Sequence, residues 1–172
     1  MTTQKPTWIP LLVLLAVAVL ALFTTSVPGT MPTEGLDTGD TAWMIVASGL
    51  VLLMTPGLAY FYGGMVNHKN VISTMLQSFI AMGVISVIWI VFGFSLAFGD
   101  SIGGFVGNPM TFFMFKGVFD GKPWSLAPTI PFALFAFFQM KFAVITPALI
   151  SGALAERINF RAFVLFMVLF CV

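Results

Sequence analysis

The sequence predicts an all-α fold, a polytopic bundle of membrane-spanning helices, and three observations carry that prediction. Of the 172 residues, 59% are hydrophobic and 8% are charged, against roughly a quarter charged in soluble domains. Uncharged stretches recur at 41–62 and 71–99, each as long as the ~20 residues a spanning helix needs. Cations gather in two short connections, Lys69 in one and Arg157 with Arg161 in the other. The same composition excludes other classes. A net charge of +1 without a basic cluster gives nucleic acid nothing to hold. One cysteine and one histidine cannot form a disulfide or a metal site. No Ser/His/Asp set can be assembled around His68. The glycines of "GLAYFYGG" and "DSIGGFVGN" lack the strand–helix setting of a nucleotide fingerprint. The sequence therefore points to no enzyme and no cofactor.

The elements follow in order. Residues 1–30 read as a signal peptide or an N-terminal hydrophobic helix. Lys5 precedes an apolar run from Leu11 to Phe23, short of the ~20 residues of a full span, and small polar residues follow it. No Ala-x-Ala cleavage site is present. Residues 31–172 form the membrane domain, with helices expected at about 41–62, 71–99, 125–155 and 160–172, the last cut short. Asp40 and Thr41 are suited to start the first helix. Pro56-Gly57 inside it requires neighbours that satisfy the freed carbonyl, hence a packed bundle. Tyr60, Phe61 and Tyr62 close it as an interfacial belt. The second span carries Ser73, Thr74, Gln77, Ser78 and Ser86, side chains of the kind that bridge helices. The loop from Asp100 to Trp124 is rich in glycine and phenylalanine and is expected to pack in part against the bundle. Lys69, Arg157 and Arg161 put their two connections on the cytoplasmic side. The Thr24–Asp40 linker and the Asp100–Trp124 loop then lie outside, as does the mature N-terminus.

The third span, "FAFFQMKFAVITPALI", holds the candidate site. At about 100° per residue, Phe135, Phe138 and Phe142 share one face. Such a stripe suits lipid contact, helix packing or a π-faced pore wall. Gln139 and Lys141 flank it, about 200° apart, too far to satisfy each other. A lysine at a helix centre costs roughly 2.5–3.5 kcal/mol on insertion scales. It calls for water, an acid or a snorkelling stem, and no acid lies within the apolar runs.

"DTAWMIVASGLVLLMTPGLAYFYGGMVNHKNVISTMLQSF", "GFSLAFGD" and "FFQMKFAVITPALISGALAERINF" together resemble the ammonium transporter (Amt/Mep/Rh) family, in family order and with family-like gaps. The resemblance implies an eleven-helix fold of two inverted halves, with one pore per subunit, usually in a homotrimer of the bacterial inner membrane. This chain would be the N-terminal portion, incomplete and not competent alone. The implied activity is transport of ammonium as ammonia. The cation is recruited at an aromatic vestibule and the neutral form passes an apolar lumen. The alternative on the same fold is an ammonium sensor that signals to other domains. Phe138 and Phe142 match the two third-helix phenylalanines of the vestibule and gate, and Gln139 would supply hydrogen bonds beside them. Lys141 departs from the small or neutral residue usual at its position. The family's recruiting tryptophan, structural aspartate and paired lumen histidines match nothing here, and His68 is not one of the pair. A cytosolic PII-type regulator is the partner the resemblance suggests, alongside the lipid bilayer.

Overall fold

The structure, a computed structural model, describes residues Gly35–Cys171; the run read as a signal peptide or helix lies outside the described residues. Four helices follow in sequence: α1 (Thr38–Gly63), α2 (Val71–Phe98), α3 (Phe132–Leu154) and α4 (Phe160–Cys171). The first three are long and apolar enough to cross a membrane.

α1 begins before Asp40 because the Asp37 carboxylate caps it. Asp37 Oδ1 accepts from the Asp40 backbone N–H at 2.8 Å, which satisfies one of the orphan donors of the first turn. Pro56 stays inside the helix, and having no N–H it leaves the Leu52 carbonyl without its usual partner. At the far end a Cβ on Gly63 would lie 2.9 Å from Met75 Cγ. Glycine there lets α1 and α2 approach closely beside their short connection.

α2 is not uniform. Its Trp89–Gly93 segment is a π-turn, with the Phe94 N–H donating to the Trp89 carbonyl. In an unbroken α-helix two residues five apart would diverge by about 140°. The wider turn aims both Trp89 and Phe94 inward, where both are buried with ring centroids 5.9 Å apart. Gly93 permits this, since a Cβ there would press on the Ile88 carbonyl and the Trp89 ring, both at 3.3 Å. Among the described residues the polar stripe of α2 makes no side-chain bond to another helix. Thr74 Oγ1 donates back to the Asn70 carbonyl at 2.9 Å. Gln77 Oε1 and Ser78 Oγ are buried with no partner among the described residues.

The connection from α2 to α3 is more ordered than its glycines suggest. It contains the hairpins β1 (Ser101–Ile102) with β2 (Val106–Gly107) and β3 (Pro123–Trp124) with β4 (Ala127–Pro131). Buried Ser95 ties it to α2: its hydroxyl donates to the Asn108 carbonyl and accepts from the Phe112 N–H, each at 2.8 Å. The third helix therefore starts at Phe132 and not at 125. Pro123, Pro128 and Pro131 lack backbone donors and fix φ, and the Thr129 carbonyl is taken by the Asp37 N–H at 2.8 Å.

The core runs between α2, α3 and α4. Ala81, Ile85, Trp89 and Phe94 meet Phe132, Ala136, Met140, Val144 and Ala148, with Phe163 and Met167 of α4 joining them. Above it, rings from the loop and both helices interlock, for example Phe94 with Phe115 at 5.5 Å and Trp124 with Phe135 at 4.9 Å. At the other end Glu156 Oε1 accepts from the Asn67 N–H and from Asn70 Nδ2, each at 2.9 Å. Lys69, Arg157 and Arg161 thus share one end of the bundle, and Asp37 and Asp40 occupy the other.

Candidate functional site

Most buried residues of α3 recur at Phe132, Ala136, Met140, Val144, Pro147, Ala148 and Ser151, broadly one side at helical spacing, while Ile145 is buried on the side of Phe138. Phe138 and Phe142 point elsewhere, each about 200° round from the core residue two places earlier. Their rings meet edge to face, with centroids 5.1 Å apart and planes at 72°. Such pairs contribute about 0.5–1.5 kcal/mol beyond the area they bury. Neither ring belongs to the core cluster. Phe138 is half-buried and Phe142 is 42% exposed.

Phe135 does not continue this pair. Its ring packs on Trp124 at 4.9 Å and on Phe98 at 5.3 Å, so it belongs to the aromatic plug over the first turn of α3. The stripe read from the sequence is thus divided along its length. The structure adds Thr146, one turn beyond Phe142, whose hydroxyl donates to the Phe142 carbonyl at 2.7 Å. Its helical spacing from Phe142 was the available signal. Gln139 and Lys141 are half-buried on either flank. Neither takes part in the side-chain hydrogen bonds among the described residues, and no acid of the described spans lies beside them, Asp40 being in the first turn of α1.

Two long-range bonds set α3 against its neighbours. The buried Trp89 indole N–H donates to the Ala136 carbonyl at 3.2 Å, and the Tyr62 hydroxyl donates to the Leu149 carbonyl at 2.8 Å. Interhelical bonds of this kind contribute about 0.6 to 2 kcal/mol in a bilayer. Beyond the helix, Glu156 holds a left-handed φ of 62°. The Asn70 amide, and after it the Asn67 N–H, keep its carboxyl below the usual carboxylate range. Among the described residues no three of the metal-binding side-chain types converge.

A π-faced pair beside an apolar helix face can attract a small cation at its rings and offers no charge to carry that cation further. The sequence matches the Ammonium Transporter Family over residues 42–172. It is 48% identical over 143 residues to an ammonium transporter of Mycobacterium bovis, covering 76% of this chain and 30% of that protein. An ammonium transporter of Bacillus subtilis is 51% identical over 137 residues, covering 78% and 32%. Among solved structures, Saccharomyces cerevisiae Mep2 superposes with a TM-score of 0.70 at 33% identity, over 81% of this chain and 30% of that one. The chain thus spans about a third of the length of the curated relatives it matches. It is a multi-pass membrane protein and belongs to the ammonium transporter family.

Proposed function

We propose that the chain forms part of an ammonium/ammonia pore in which Phe138 meets the cation at the outer vestibule and Phe142 bounds the narrow passage beneath it. The observation that carries this is the edge-to-face pair at 5.1 Å, outside the core cluster, with Phe138 half-buried and Phe142 exposed. The names of the relatives supply the substrate. A ring face attracts a small cation for about 0.5–2 kcal/mol. Moving the charge into a dry lumen costs far more, of order 20 kcal/mol in the ideal limit. Burial therefore favours the neutral form, and ammonia rather than ammonium passes the apolar stretch. Gln139 supplies hydrogen bonds on one flank.

The shared end of Lys69, Arg157 and Arg161 is the cytoplasmic one, since cations in short connections stay inside. This puts the aromatic plug and Phe138 on the outer side of an inner membrane. By the family resemblance the working unit is a homotrimer, and a PII-type regulator would meet the cytoplasmic end.

The test is methylammonium uptake by the full-length protein in cells lacking other carriers. Losing a contact of 0.5–2 kcal/mol, Phe138→Ala should raise the apparent KM about 2- to 30-fold. Phe142→Ala should change maximal flux while membrane insertion persists. Unchanged kinetics in both variants would remove these residues from the pathway.

A further inference from the structure

We infer that Trp89 is a positioning residue for transport, holding α3 at the axial height and rotation that present Phe138 to the pathway. This rests on the reading of Phe138 given above and extends it to a residue on another helix.

The geometry has three parts. The Trp89 indole crosses from α2 to α3 and bonds the Ala136 carbonyl at 3.2 Å, in the core, with the tryptophan only 8% exposed. Ala136 lies two residues before Phe138, about 3 Å along the axis. A bond to that carbonyl fixes the backbone immediately preceding the ring. Finally, the π-turn that begins at Trp89 gives this indole its setting. It places Trp89 and Phe94 together on the inner side of α2, and Phe94 packs in turn on Phe132 at 5.6 Å, in the first turn of α3. The chain therefore holds the outer half of α3 at two heights, by ring contact at Phe132 and by a directional bond at Ala136. Of the two, the second is directional, and in this outer half it adds to the packing a restraint on rotation of α3 about its own axis, as the Tyr62 bond to Leu149 does in the other half. A small rotation of α3 is the motion that would turn Phe138 and Phe142 away from a pathway. π-Turns inside α-helices recur at functional positions, and here the irregular turn serves a contact beside the candidate site.

The experiment is uptake kinetics of full-length Trp89→Phe, which keeps an aromatic ring and loses the N–H. A second variant carries 3-benzothienylalanine at position 89, which keeps the tryptophan shape with sulfur in place of the N–H. It serves if the phenylalanine variant fails to reach the membrane. Both are measured alone and combined with Phe138→Ala, with thermal midpoint and membrane yield followed in parallel. The expected result is a severalfold rise in apparent KM for methylammonium with maximal rate nearly unchanged, and no further rise when Phe138 is already alanine. Unchanged KM in the Trp89 variants overturns the inference and leaves the role of Phe138 standing. Effects that multiply with those of Phe138→Ala also overturn it, because independent sites add in free energy. If Phe138→Ala is silent while the Trp89 variants are impaired, both this inference and the role of Phe138 fall.

Discussion

Gly152 of α3 sits against Tyr62 of α1, and replacing it with alanine perturbs that contact directly. A Cβ at that position would collide with three atoms of the Tyr62 ring, Cε1, Cζ and Cδ1. The ring cannot swing clear without cost, because its hydroxyl donates to the Leu149 carbonyl at 2.8 Å, one turn earlier on the same helix. Two terms add. Forcing a methyl into a packed contact costs about 1–3 kcal/mol, and losing the tyrosine bond costs about 0.5–1.5 kcal/mol. Gly152→Ala should therefore destabilise the bundle by about 1.5–4.5 kcal/mol. Unfolding in mixed micelles by denaturing detergent, followed by circular dichroism, measures it. The same substitution in a Tyr62→Ala background should be nearly neutral, since nothing remains to collide with. A cost that persists undiminished in that background would show that the close approach of α1 and α3 at this level has been misread.

Two further predictions follow from the ends and the middle of the bundle. The Glu156 carboxyl is held below its usual range by Asn70 and Asn67. Its contribution is then present above the ordinary carboxylate range and is lost as the pH falls through the depressed value. The protection factor of the Asn67 amide, from hydrogen exchange, should drop across that acid window, and Glu156→Gln should abolish the dependence. In α3, Lys141→Ser should leave uptake unchanged or raise it, since no described residue pairs with the ammonium. Complete loss of uptake at normal membrane yield would show that the lysine has a required partner.

Much of the bundle was legible because the bilayer imposes a length. The stretches 41–62 and 71–99 had no charge to interrupt them, and α1 and α2 cover them with small shifts at the ends. The shifts have local causes that hydropathy does not register. Asp37 rather than Asp40 caps α1. Prolines at 123, 128 and 131 turn the expected start of the third helix into a hairpin. The π-turn was illegible for a different reason. Trp89–Gly93 reads as ordinary apolar helix, and its wider winding answers to tertiary packing, the need to bury Trp89 and Phe94 on one side. The candidate site shows the same limit. Helical spacing put Phe135, Phe138 and Phe142 on one stripe. Spacing carries no information about what covers a stripe at each height, and the loop rings of the plug claim Phe135 alone.

The bonds that hold the helices together also bear on how this site tolerates change. In hydrocarbon, apolar contact between helices gains little over contact with lipid, so directional bonds and close packing must fix relative placement. Here the long-range bonds from Trp89 and Tyr62 end on backbone carbonyls, of Ala136 and Leu149. A carbonyl is supplied by any residue, so these bonds place no demand on the side chains at 136 and 149, although burial in the core keeps Ala136 small. The donors are the constrained partners, and they lie on α1 and α2. Between the two anchors, at 136 and 149, α3 carries Phe138, Phe142 and Thr146 outside its core cluster. Whereas Ile145 beside them is buried, anchoring by backbone above and below leaves the exposed Phe142 and Thr146 with little part in holding the helices together. A substitution there should alter transport more than stability, and a substitution at either donor should alter both.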